Sequence, residues 1–96
     1  MLDKVTAETF EPHVGEDFIV SVEDRTLTFR LGAVDLLANV NSRPRVPFIL
    51  TFYGPGNEVL PQKIYALDNE SLGPMEVFLV PIGPDAVGMR YEAVFT

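Results

Sequence analysis

Ninety-six residues are one domain's worth of chain, enough to bury somewhat over ~60% of the surface that the unfolded form exposes. An apolar fraction of 47%, with seven Phe and three Tyr, excludes a disordered chain. The absence of cysteine excludes disulfides, thiolate metal ligands and cysteine nucleophiles, and fourteen acids against seven Lys and Arg, a net charge of -7, disfavour phosphate backbones and anionic lipid as partners.

The segment Met1 to Phe10 carries Asp3, Lys4 and Glu8 among its apolar residues, so it does not read as a secretory signal. No run approaches the ~20 apolar residues that a membrane-spanning helix requires. The expectation is a cytoplasmic protein with neither a membrane nor a nucleic acid as partner.

In chain order, Thr6 can N-cap a short helix running to Glu11, with Glu8 near the positive end of its dipole and Pro12 stopping it. Val5 and Phe10 occupy the two positions of a hydrophobic staple. One or two turns cannot persist in isolation, so this helix is expected to cover an open end of a sheet. From Asp17 the period changes to two: Phe18, Val20 and Val22 alternate with Ile19, Ser21 and Glu23. A turn at Glu23 to Arg25 then leads into Leu27, Phe29 and Leu31 alternating with Thr26, Thr28 and Arg30, a hairpin pattern. At Gly32 the phase slips and Val34 and Leu36 take over the apolar positions, as at a bulge where a strand rounds a barrel corner.

Asn39 to Pro47 reads as a polar loop, followed by Phe48 to Tyr53, a strand that is apolar on both faces. Gly54-Pro55-Gly56-Asn57 breaks it, and Ile64 to Leu67 makes a short fourth strand. Met75 to Ile82, with polar interruption only at Glu76, reads as a central strand covered on both sides and ended by Pro81. A turn opening at Gly83-Pro84-Asp85 and closing at Gly88 returns a sixth strand, with Tyr91, Ala93 and Phe95 on one face.

These elements predict a mainly β domain over residues 1–96, a six-stranded antiparallel barrel-like roll or sandwich with one short N-terminal helix. The helix spans about 6–11 and the strands about 17–23, 26–37, 46–53, 62–68, 75–82 and 89–96. Ile49, Tyr53, Phe78 and Val94 cannot all face one small interior, so apolar residues are expected on an outer face.

No catalytic, cofactor or metal residues are predicted. His13, the single histidine, follows Pro12 in a loop, and with no cysteine the usual nitrogen and sulfur metal sites lack ligands. Ser21, Ser42 and Ser71 stand in no nucleophile elbow. Gly54-Pro55-Gly56 matches a phosphate-binding loop only in part, since neither the third glycine nor a Gly-Lys-Ser/Thr follows. The acidic pairs Glu16-Asp17 and Glu23-Asp24, and the set Asp68-Asn69-Glu70, lack the dense oxygen series of a calcium loop. Two carboxylates meeting across strands would permit acid and base chemistry, but sequence does not supply their separation. Arg43-Pro44-Arg45 is the basic cluster of an acidic chain, which makes Arg43 and Arg45, with Tyr53 on the outer face, the candidate interaction residues.

The stretches Phe48 to Pro55, Leu60 to Tyr65, Leu72-Gly73, Phe78 to Pro84 and Tyr91 to Phe95, with Thr6 to Pro12 and Gly15-Glu16, resemble an uncharacterised bacterial family of small β-rich domains of unknown function. The resemblance brings no catalytic or binding residues. It implies an association with phage-tail-like or tail-collar-like bacterial proteins. The surplus of apolar residues on two-sided strands points to a non-catalytic protein-interaction or structural module, accessory to such an assembly and self-associating through a strand edge or its aromatic outer face. The alternatives are a small barrel binding an apolar ligand in its mouth and, third, a carboxylate-dependent hydrolase.

Overall fold

The alternating strands close on themselves. In the computed structural model, which describes residues 4–38 and 45–96, six antiparallel strands form a closed barrel: β1 (Asp17–Val22), β2 (Arg25–Leu36), β3 (Phe48–Gly54), β4 (Lys63–Asn69), β5 (Gly73–Pro84) and β6 (Met89–Phe95), in the order β1-β2-β3-β6-β5-β4. Two three-stranded meanders, β1-β2-β3 and β4-β5-β6, are thus joined at both edges, by β3 to β6 and by β4 to β1. Closure removes the exposed edges that an open meander would present.

The period-2 pattern decides which side chains go inward. Phe18, Val20, Phe29, Leu31, Phe48, Leu50, Phe52, Leu67, Leu79 and Tyr91 are all buried. Their rings pack on one another: Phe18 meets Phe52 edge to face at 5.2 Å, and Phe29 meets Tyr91 at 4.8 Å. The β1–β2 turn is two residues long, with Val22 opposite Arg25 and Glu23 at φ 56°.

The expected phase slip at Gly32 is present, since the β2–β3 register shifts between Leu31 and Ala33. A methyl group at Gly32 would lie 2.4 Å from the Tyr53 ring, so the residue that makes the bend also leaves room for the aromatic side chain across the ladder.

Both barrel ends are stopped by apolar side chains. At one end α1 (Ala7–Phe10) places Ala7 and Phe10 in the core, Phe10 lying 6.0 Å from the Phe48 ring and 5.7 Å from that of Phe95. Its first turn is fixed by Thr9, whose N–H donates to the Thr6 carbonyl and whose hydroxyl accepts from the Thr6 N–H, each at 3.0 Å. Pro12 does not stop the winding as expected. It enters the first turn of a 3-10 segment, Glu11–His13, where its missing N–H costs no hydrogen bond. At the other end the long β3–β4 connection delivers buried Leu60, whose N–H donates to the Tyr91 hydroxyl at 2.9 Å.

Strand β5 departs from its expected setting in two ways. It was expected to be covered on both faces, yet over Pro74 to Leu79 it alternates exposed and buried, and Phe78 is 49% exposed. A barrel strand has one inner face, and no described element packs over its outside. Pro81 does not end it either, because a register shift between Pro81 and Gly83 lets the strand run on to Pro84. No helix among the described residues is long and apolar enough to cross a membrane.

Candidate interaction surface

Four of the apolar side chains left outside by closure form a band. Ile64 on β4 lies directly opposite Phe78 on β5, and Ile49 on β3 lies directly opposite Val94 on β6. Opposed residues share a face. Ile64, Phe78 and Val94 are 62%, 49% and 53% exposed, too much for residues that a monomer needs only for its own core.

Between the two pairs the β5–β6 ladder runs out. Its register extends from Pro84 opposite Met89 to Val80 opposite Glu92. Beyond that point a groove of about 360 Å³ lies between the strands, lined by Glu76, Val77 and Phe78 on one side and Ala93, Val94, Phe95 and Thr96 on the other. The band therefore has relief: a shallow cleft with an aromatic ring on one wall and a valine on the opposite wall.

The sequence-derived residues fall in different places. Arg43 and Pro44 lie outside the described residues. Arg45 acts within the fold, donating to the Val5 carbonyl at 2.7 Å and the Thr96 carbonyl at 3.1 Å. Its guanidinium sits 5.7 Å from the centroids of both the Phe48 and the Phe95 rings, which stack at 4.8 Å. This arrangement clamps the segment before α1 to the end of β6 and forms one end of the groove.

Tyr53 is on the outer face, as expected, but in a polar cluster. Its hydroxyl donates to Asp85 Oδ2 at 2.6 Å, and the Arg30 guanidinium lies 5.5 Å from its ring. Asp85 Oδ1 also accepts from the Val87 and Gly88 N–H groups, so the cluster fixes the β5–β6 turn. Ile64 was not singled out from sequence. Its only signal was its place opposite Phe78, and that needs the register.

A third feature is an acidic groove of about 660 Å³ along the short β1–β4 seam, lined by Glu16, Asp17, Asp68 and Glu70 with Asn69 and Ser71. His13 reaches Glu16, Nδ1 to Oε1 at 2.9 Å. The described residues include no group of three or more His, Asp or Glu side chains placed to hold a metal ion.

Three carboxylates are held below their ordinary range by hydrogen bonds: Glu16 by His13 and then Asn69, Glu58 by Arg25, and Asp85 by Tyr53 with the two turn N–H groups. A carboxylate with a depressed folded-state pKa contributes stability above its unfolded value and loses it as the pH falls through the folded one. Thermal stability should therefore be level near neutrality and decline once the pH drops below about 4.5, the ordinary glutamate value. Asp85→Asn should melt below the parent at pH 7, with the two melting curves converging in acid. A constant offset at every pH would contradict this reading.

Compared with curated proteins and with solved structures, the chain finds no match. Compared with known families, residues 5–95 match one described as a domain of unknown function, DUF6916. That match takes in every strand of the barrel and the helix that stops its end. By it the chain belongs to the DUF6916 family.

Proposed function

We propose that this domain is a non-catalytic protein-interaction module that docks into a larger assembly through its apolar outer band. The observation that carries the reading is the half-exposed ring of Phe78 beside Ile64, facing the Ile49 and Val94 pair across a groove. Burying such half-exposed side chains in an interface contributes roughly half of the ~1.5–3 kcal/mol that full burial of each from water gives. An apolar ligand would instead have to displace Phe10 or Leu60 from the barrel ends. The assembly we have in mind is of the bacterial phage-tail or tail-collar kind, as the resemblance implies.

The test is site-specific crosslinking in the native host, with a photoreactive phenylalanine analogue at position 78 and, as a control, at exposed Thr28 on β2. A discrete protein adduct is expected from position 78 and not from position 28. Equal adducts at both positions, or none at 78, would count against docking through the band.

A further inference from the structure

Charge around the band narrows the choice of partner, given the docking reading above. Asp35 lies directly opposite Ile49 on the outer face, Glu76 lines the groove two residues along β5 from Phe78, and Glu92 stands two residues along β6 from Val94, opposite Thr51 and Val80. The fringe is thus a set of carboxylates on three strands. Two of the cations nearby are hydrogen-bonded within the fold, Arg45 to Val5 and Thr96 and Arg90 to the Gly83 carbonyl at 3.2 Å, while the exposed Lys63 ammonium lies 5.4 Å from the Tyr65 ring.

We infer that the band receives a segment of another protein that presents an apolar stripe flanked by Lys or Arg, rather than a second copy of this chain. In a two-fold interface the same patch faces itself, so the acidic fringe of one copy would be brought against that of the other. Like charges across an interface cost free energy and slow the encounter, whereas a basic fringe steers the partner in and fixes its register. The net charge of -7 extends the same preference to long range.

The probes are two synthetic amphipathic peptides with the same apolar stripe, one flanked by lysines and the other by glutamates. Each is titrated into the isotope-labelled protein and followed by backbone amide shifts. The lysine peptide should move the amides of Ile49, Ile64, Phe78 and Val94, bind about 10-fold or more tightly than the glutamate peptide, and weaken as salt rises. In the double variant E76K/E92K the preference should shrink or reverse.

Equal affinity for the two peptides at the band overturns the charge inference and leaves docking intact. Shifts confined to other surfaces, or no binding by either peptide, overturn the inference while the crosslinking at position 78 independently decides the docking reading. A concentration-dependent dimer in solution scattering, abolished by Phe78→Ser, would likewise replace the basic partner with a second copy.

Discussion

Phe10→Ala should lower the unfolding free energy by about 4 kcal/mol, a loss at the upper end for a buried side chain and a large share of the total for a domain this small. Phe10 is 1% exposed and contacts the Phe48 and Phe95 rings from a helix of four residues. A helix that short has almost no stability of its own, so its position depends on the side chains it buries. Removing the ring opens a cavity at the barrel end and also releases the helix, exposing the stacked Phe48 and Phe95 rings that Arg45 covers from its own side. The control is Phe78→Ala, which deletes the same ring from the outer face and should cost less than about 1 kcal/mol through the cross-strand contact with Ile64. Chemical denaturation of the two variants measures the difference directly. Comparable losses would mean that the outer face is covered in the free protein.

The contrast between these two phenylalanines marks how far the sequence could be read. Inward residues followed from alternation within single strands: Phe18 and Val20, Phe29 and Leu31, Tyr91 and Ala93 each announce a face through their nearest neighbours. The Gly32 slip was equally local, since one extra residue reverses the phase on either side of it. The stapling helix followed from the spacing of Val5, Thr6 and Phe10. What could not be read is anything set by pairing between distant segments. Val77 to Val80 looked like a strand covered on both sides because an unbroken apolar run is common to a buried strand and to one whose outer residues await a partner. Only the register, with Phe78 opposite Ile64 and Val94 opposite Ile49, shows that these four outward apolar residues gather in one band. Arg45 illustrates the same limit, because its reading as an interaction residue of a basic cluster gave no sign of the two carbonyls and two rings that hold it.

Asn69→Ala should cost about 3 kcal/mol, because one carboxamide closes a turn and a seam together. Asn69, on the β1–β4 seam, is the one buried polar side chain among the described residues, 2% exposed. Its Oδ1 accepts from the Ser71 N–H at 3.0 Å and the Leu72 N–H at 2.9 Å, shaping the β4–β5 turn that Gly73 completes at φ 79°. Its Nδ2 donates to the Asp17 carbonyl at 3.0 Å and to Glu16 Oε1 at 3.2 Å. Those two bonds matter because the β1–β4 ladder registers only Ile19 to Ser21 against Asp68 to Ala66, so the side chain carries the closure where the backbone ladder stops. Alanine removes all four bonds and leaves their partners to the water of the groove, and amide exchange should rise along β1 and β4 before the rest of the barrel. Asn69→Asp separates the two roles. It keeps the acceptor for the turn, whose two N–H groups favour the ionised form, but at a 2% exposed site it sets a carboxylate oxygen against the Asp17 carbonyl and Glu16; desolvation and the two facing oxygens outweigh the N–H groups and raise its folded-state pKa above the unfolded value. A raised carboxylate pKa penalises the fold at high pH and releases the penalty as the pH falls and the acid regains a donor. The aspartate variant should therefore lose ground to the parent at neutrality and recover it in mild acid, opposite in sign to the loss expected at Glu16, Glu58 and Asp85. Parallel pH profiles for the two proteins would show that the seam is closed by packing rather than by this donor.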